Sequence, residues 1–209
     1  FDALSPGAAD RFDNDDWADT TQVREAELGS LSQQARRSLK ADDGEALDAL
    51  AEWLGEQPRG DAEIRARLEE CPVKREKALA VVVQVLLDEA GESVPALFTR
   101  RLRLFTALLA DAGPGESPKL QRAFLGSLER TVGLHRADQL RHLPALLQAA
   151  YNADLVDEEA LLEWHARPSK RYMADAQLAA AVRKTADAFI DWLRQEESEE
   201  SGEDEEDEE

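Results

Sequence analysis

The sequence predicts an all-α fold, an α-solenoid of about seven or eight helices stacked as antiparallel pairs, with acidic tails at both ends. Three observations lead there. The chain is 43% hydrophobic, and that share is mostly Leu and Ala, with only 2 Tyr and 6 Phe, a balance that favours helix over sheet. Apolar residues in its middle recur at helical spacing between Pro and Gly punctuation. The net charge of -20 is concentrated at the ends.

The elements follow in order. Residues 1–22 hold Pro6, Gly7, six Asp and one Arg, with few core-forming side chains; this reads as a disordered acidic linker. Residues 23–43 are polar with weak helical periodicity, a further linker or a frayed helix. The helical domain is expected over 44–195. Ala46, Leu47, Leu50, Trp53 and Leu54 form a first stripe, ended by Pro58 and Gly60. Asp61 is expected to cap a short helix towards Cys71, which Pro72 stops. Val73 to Ala90 reads as an inner helix with Leu79, Val82, Val83, Leu86 and Leu87 on one face. Pro95 opens the next, in which Leu97, Phe98, Leu102, Phe105, Leu108 and Leu109 point inward. Gly113 to Pro118 is a loop, and its glycines do not make a phosphate loop. Lys119 to His135 follows, with Leu120, Phe124, Leu128 and Val132; then Asp138 to Tyr151 with Pro144 near its start; then a short helix from Asp157 to about Arg167, broken by Pro168. A single last helix is expected from Asp175 to Gln195. Helix pairs about 20 residues apart resemble HEAT-type stacking. Residues 196–209, with eleven acids and no Lys or Arg, read as a disordered acidic tail.

The composition excludes several classes. Without its tails the body is nearly balanced in charge, so neither part offers the clustered cations that phosphate contacts need; no direct nucleic-acid binding is expected. Acidic tails suit a basic protein partner. One Cys, Cys71, makes no internal disulfide and fits the cytoplasm. No apolar run approaches the 18 residues of a membrane span. The start, FDALSPGAAD, lacks the features of a signal peptide and reads as the cut end of a longer chain.

Two stretches join aromatic residues to dense acids, each with a Trp: YNADLVDEEALLEW, Tyr151 to Trp164, and FIDWLRQEESEESGEDEEDEE, Phe189 to Glu209. In the second, Trp192 lies roughly 80° from the centre of the stripe made by Leu178, Val182, Ala186, Phe189 and Leu193. It is an edge residue that packs half-buried at the domain margin, anchors a partner, or does both. Trp164 shares a face with Ala160 and Leu161 and belongs to the core. Asp157, Glu158 and Glu159 sit at a helix start, where acids cap free N–H groups and complement the macrodipole; Asp154 and Glu163 extend the patch. Arg100, Arg101, Arg103, Lys119, Arg122, Lys170 and Arg171 are either ordinary solvated positions or a basic face.

A third stretch, DNDDWADTT, places Asp15, Asp16, Trp17 and Asp19 in the first linker. Trp17 is a chance aromatic or a docking anchor steered by its acids. A calcium loop fails, with Ala18 where Gly is needed and Arg24 where Glu is needed. His135 and His142 do not have the spacing of a helical metal pair, and no nucleophile signature occurs; no metal, cofactor or enzyme activity is expected. Ser198 and Ser201 lie among acids and are candidate sites for acid-directed kinases.

The Tyr151 to Trp164 stretch, followed by SKRY at Ser169 to Tyr172 and by FIDWL running into an acidic tail, resembles the two aromatic and acidic boxes of the W2 family of translation initiation. AFLGSLERTVGLH, Ala123 to His135, resembles the helix that precedes them, and DNDDWADTT resembles the linker motif upstream of the W2 domain in the factor-five branch of that family. The resemblance is strong from Val73 to Leu193 and weak from Gln22 to Pro72. The W2 end of the exchange-factor epsilon subunit, and an unrelated acidic helical scaffold, stay open as alternatives.

The resemblance implies a HEAT-type docking hub, monomeric and cytoplasmic. It implies binding to lysine-rich blocks on the beta subunit of initiation factor two, and contacts with that factor's gamma subunit, with initiation factors one and three, and with the four-G scaffold. Carried over by position, the beta-subunit site is Asp154, Asp157, Glu158, Glu159, Glu163, Asp191, Trp192, Glu196 and Glu197. Restraint of GDP release falls on Trp17 with its acids and on Trp192. The family's GTPase activation belongs to a separate domain with a catalytic Arg and a zinc ribbon, and a lone Cys does not make a four-Cys zinc site.

Overall fold

The computed structural model describes residues 43–113, 115 and 117–200, with the side chains of 196–200 outside that description. The chain divides into two units, Phe1–Gly44 and Glu45–Glu209. The Trp17 motif, the polar stretch to residue 42 and Ser201 lie outside the described residues, as do the side chains of Glu196, Glu197 and Ser198. Every regular element among the described residues is helical, and none of those helices is long and apolar enough to cross a membrane.

Helix α1 covers 43–56 and buries Leu50 and Leu54. Helix α2 is Asp61–Glu69. Asp61 does not cap it: Gly60 holds the cap position, and the Glu63 carboxylate accepts the Gly60 N–H at 2.9 Å, the returning half of a capping box. Asp61, in the first turn, instead accepts from Arg101 at 2.8 Å. Helix α3 is Arg75–Leu87, and its buried face is the expected one with Ala78 added. Helix α4 is Val94–Ala110, with Ser93 as N-cap and Pro95 in the first turn. Its inward set differs from the expected one: Val94 and Leu104 are buried as well, and Leu102 is only half-buried. The α4 C-terminus is held by Arg75, which donates to the carbonyls of Asp111 at 2.8 Å and Leu108 at 3.1 Å, a cation where the helix dipole favours one.

Helix α5, Ser117–Arg130, is the centre of the domain. It is buried at every residue from Ala123 to Glu129, and α3 packs on it more than any other pair of elements. Phe124 meets Phe105 edge-to-face at 5.6 Å between ring centroids and Phe98 at 6.3 Å, a geometry that adds to the area these rings bury. Small residues let neighbours approach: a Cβ on Gly126 would lie 2.3 Å from the Tyr172 ring.

The expected helix to His135 changes character at its end. Thr131–His135 is a π-helical turn, closed by the Arg136 N–H donating to the Thr131 carbonyl at 2.7 Å. A 3₁₀ segment, Ala137–His142, leads into α6, Leu143–Asn152, with Pro144 in the first turn. Pro144 thus marks the start of α6 rather than lying within one helix from Asp138, since it lacks the N–H that a continuing helix needs. Helix α7 is Glu158–Ala166, N-capped by Asp157.

The single last helix is in fact two: α8, Ala176–Lys184, and α9, Asp187–Glu200. The break falls at Thr185. Its hydroxyl donates to the Val182 carbonyl at 2.6 Å and its N–H to the same carbonyl at 3.2 Å. A short β-branched residue that bonds back to the chain in this way disfavours continued α-helix. Nine α-helices among the described residues therefore stand where about seven or eight were expected. Helix α9 continues five residues past the expected end at Gln195.

Candidate docking surface

The turn from α6 to α7 is built on α5. Leu155 and Val156 are buried and tether it, and the Asp157 N–H donates to the Gln121 side-chain carbonyl at 3.2 Å. Asp154 holds φ at 55°, the left-handed region that Asp tolerates better than most residues. Asp157 then caps α7 by accepting the Ala160 N–H at 2.8 Å. The first-turn acids Glu158 and Glu159 complement the helix dipole there.

This local geometry gathers five of the predicted acids. Asp154, Asp157 and Glu158 line a hollow of about 470 Å³ with Tyr151 and Val156. Glu158, Glu159 and Glu163 line a second hollow of about 700 Å³ with Leu162 and Ala166. Glu158 lines both, so they adjoin as one mainly acidic groove along α7, with Arg167 also in its lining. Trp192 borders the first hollow through Tyr151, whose ring it meets edge-on at 6.5 Å, while stacking on Phe189 at 5.7 Å; it is half-buried. Asp191 is exposed on α9, 3.3 Å from Arg194, and lines neither hollow.

The predicted basic face separates into parts. Arg100 is engaged by Glu89 at 2.6 Å and by Glu92. Arg101 is tied to Asp61 and to the Arg59 carbonyl. Arg103 is exposed on α4. Lys119, Arg122, Lys170 and Arg171 come together instead, in a cleft of about 600 Å³ between α5 and the connection from α7 to α8. Arg167, Tyr172, Glu76 and Glu163 also line it.

Beneath both surfaces lies a network that the sequence reading missed. Glu129 and Arg183 pair inside the domain, and the Trp164 indole N–H donates to the same carboxylate at 3.0 Å. Arg183 also donates to the Trp164 carbonyl and lies over its ring at 5.0 Å. The available signal was position: Arg183 falls one turn from both Ala179 and Ala186, on the buried stripe of its segment. Gln121, which supports the groove from below, is likewise buried. Tyr172, held over Gly126, has its phenol pushed up from the usual value, chiefly by burial.

Among the described residues no group of His, Cys, Asp and Glu is arranged to hold a metal ion. The groove is a charged surface with aromatic edges, suited to the aliphatic stems and ammonium heads of lysine side chains.

The family model "W2: eIF4-gamma/eIF5/eIF2-epsilon" matches residues 120–208. The chain is 33% identical over 135 residues to eukaryotic translation initiation factor 5 of Mus musculus, covering 65% of this chain and 29% of that protein. It is 30% identical over 168 residues to the factor of the same name from Saccharomyces cerevisiae, covering 77% of this chain and 39% of that protein. The chain therefore spans well under half the length of these relatives. A solved structure, the C-terminal domain of translation initiation factor 5 at low pH, superposes with a TM-score of 0.65 at 30% identity, covering 77% of this chain and 97% of that one.

Proposed function

The chain belongs to the eIF4-gamma/eIF5/eIF2-epsilon family of W2 domains, and from that premise we propose that it is a docking domain of translation initiation with no catalytic role of its own. The principal ligand in this reading is a lysine-rich segment of the beta subunit of initiation factor two. It lies along the acidic groove of α7, with Asp154, Asp157, Glu158, Glu159 and Glu163 meeting the ammonium groups and Trp192 with Tyr151 forming an apolar edge. Asp191, Glu196 and Glu197 extend the negative field along α9. The observation that carries this reading is the convergence of five acids from two segments on adjoining hollows that share Glu158.

The same proposal extends to the partners that the family resemblance implies: the gamma subunit, initiation factors one and three, and the four-G scaffold, met as a monomer in the cytoplasm. The Trp17 motif would restrain GDP release, and phosphorylation at Ser198 and Ser201 would add charge to the tail. Residues 1–22 and 196–209 act in this reading as acidic extensions of the helical domain.

The test is a titration of the whole chain with a lysine-rich beta-subunit peptide at low and physiological salt. Beside it run Trp192→Ala and the triple Asp157/Glu158/Glu159→Ala variant, with helicity checked by circular dichroism. Saturable binding that both folded variants lose supports the groove. Binding that persists in both and disappears with residues 196–209 makes the tail a nonspecific attractor and sinks the assignment. Exposed charges are screened over about 8 Å at physiological ionic strength, so the ionic share weakens with salt and the Trp192 share less so.

A further inference from the structure

We propose that Ser169 is a phosphorylation site for a basophilic serine kinase, and that its phosphate ties the connection between α7 and α8 to α5. Cations flank Ser169 on both sides, in the run Arg167, Pro168, Ser169, Lys170, Arg171. A kinase whose substrate channel carries acids on both sides of the target hydroxyl is complementary to that run. Ser198 and Ser201 have the opposite setting, with acids around them. This inference does not rest on the docking reading of the acidic groove.

The fold presents this hydroxyl to a kinase. Residues 167–175 are not helical. Arg167 is already extended, at φ -124° and ψ 91°, as the following Pro168 favours. Arg167, Pro168, Lys170 and Arg171 are exposed, and Ser169 is half-buried. The Ser169 hydroxyl accepts the Arg171 N–H at 3.4 Å, a long bond. Thr99 and Thr185 also have cations beside them in sequence, but their hydroxyls donate to the carbonyls of Pro95 and Val182. Around Ser169 a kinase has only a turn to open, closed by the Tyr172 and Met173 N–H groups donating to the Ser169 carbonyl at 3.2 and 3.3 Å. Met173 is buried, the Tyr172 ring rests over Gly126, and Arg130 donates to the Tyr172 carbonyl at 3.4 Å. These contacts return the segment to one place on α5 after release.

In the transfer, Ser169 Oγ attacks the γ-phosphorus of ATP. The Oγ–P bond forms, the bond from that phosphorus to the bridging oxygen breaks, ADP leaves, and the hydroxyl proton passes to the kinase's base. Ser169 lines the same cleft as Lys119 and Arg122 of α5. The other charged groups lining it are Glu76 from α3, Glu163 from α7, Arg167, Lys170 and Arg171 from the connection, and Arg183 from α8, which is paired with Glu129. Cations outnumber acids there, so a phosphate of about -1.5 to -2 charge meets net attraction. Bonds from Lys119 and Arg122 to it would join the connection to the central helix across the cleft.

The test treats the whole folded chain with ATP and the catalytic domain of protein kinase C, and locates phosphate by mass spectrometry. Ser169 is expected to be modified, and Arg167→Ala with Arg171→Ala to slow that modification about tenfold. The acid-directed casein kinase 2 is expected to leave Ser169 unmodified. No phosphate on Ser169, or equal modification by both kinases, overturns the site. Phosphorus NMR then follows the second ionisation of the phosphoserine, ordinarily near about 6. It is expected about half a unit lower in the chain than in a phosphopeptide of residues 163–175, which carries the same flanking cations. Lys119→Ala with Arg122→Ala, folded by circular dichroism, is expected to return it to the peptide value. Phosphorylation is also expected to raise the thermal midpoint by about 1–3 °C at low salt, a gain that the same double variant loses. Identical titrations in chain and peptide would place the phosphate in solvent and overturn the tie to α5.

Discussion

Glu129 and Arg183, 54 residues apart in sequence, meet in a two-pronged ion pair inside the domain. Both bonds measure 2.9 Å, and the side chains are 1% and 4% exposed. The pair joins α5 to α8, and through Trp164 it holds α7 as well. Glu129→Ala leaves a buried guanidinium without its counter-charge, and the expected loss is about 3–5 kcal/mol in urea unfolding. Replacing both partners, Glu129→Leu with Arg183→Met, is expected to cost clearly less than Glu129→Ala alone. A double variant as unstable as the single one would show that the pair matters for shape rather than for charge.

Gly126 is where the connection from α7 to α8 rests on α5. An Ala there gains about 1 kcal/mol of helix propensity. It also puts a methyl group 2.3 Å from the half-buried Tyr172 ring, so the ring and the connection that carries it must move away from α5. Gly126→Ala is therefore expected to lower the thermal midpoint, and Tyr172→Ala combined with it is expected to be less destabilising than the two single changes added together. Full additivity, measured by thermal unfolding, would contradict the contact.

Tyr172 also gives the domain an alkaline limit. Burial raises its pKa above the ordinary 10.0, with smaller opposing effects from Arg171 and Arg122. The folded state thus holds the phenolic proton more tightly than the unfolded state. The contribution is fully present below the unfolded pKa and is lost as pH rises through the folded one. Urea midpoints followed across and above pH 10 should fall less steeply for Tyr172→Phe than for the parent chain.

Asp157 combines a cap with a charge, and two substitutions separate them. Asp157→Asn keeps an acceptor for the Ala160 N–H and is expected to stay within a few tenths of a kcal/mol of the parent. Asp157→Ala is expected to lose about 1 kcal/mol. Both should bind a lysine-rich peptide more weakly if the carboxylate meets an ammonium group. Unchanged binding by a folded Asp157→Asn would confine the residue to capping.

Much of the fold was legible because apolar spacing and Pro or Gly stops report directly on helices that bury one stripe. Leu79, Val82, Val83, Leu86 and Leu87 are an example: each is buried as expected. The misreadings fall where a local bond overrides the pattern. Thr185 splits a stripe that runs on without interruption, because its hydroxyl competes for the Val182 carbonyl. Gly60 displaces Asp61 from the cap because Glu63 supplies the acceptor from the other side. The acids around α7 could be picked out as a group, since a dense run at a helix start is visible in sequence. The basic cleft could not, because Lys119 and Lys170 lie 51 residues apart and only the return of the chain over α5 brings them together.

The left-handed backbone at Asp154 narrows what mutation can do there. The conformation admits Gly, Asn and Asp with little penalty and few others. The proposed docking of lysine side chains in the groove asks the same position for negative charge, which Gly and Asn lack. Glu has the charge without the tolerance for that backbone. Geometry and electrostatics each leave a short alphabet at residue 154, and Asp is the one letter the two alphabets share.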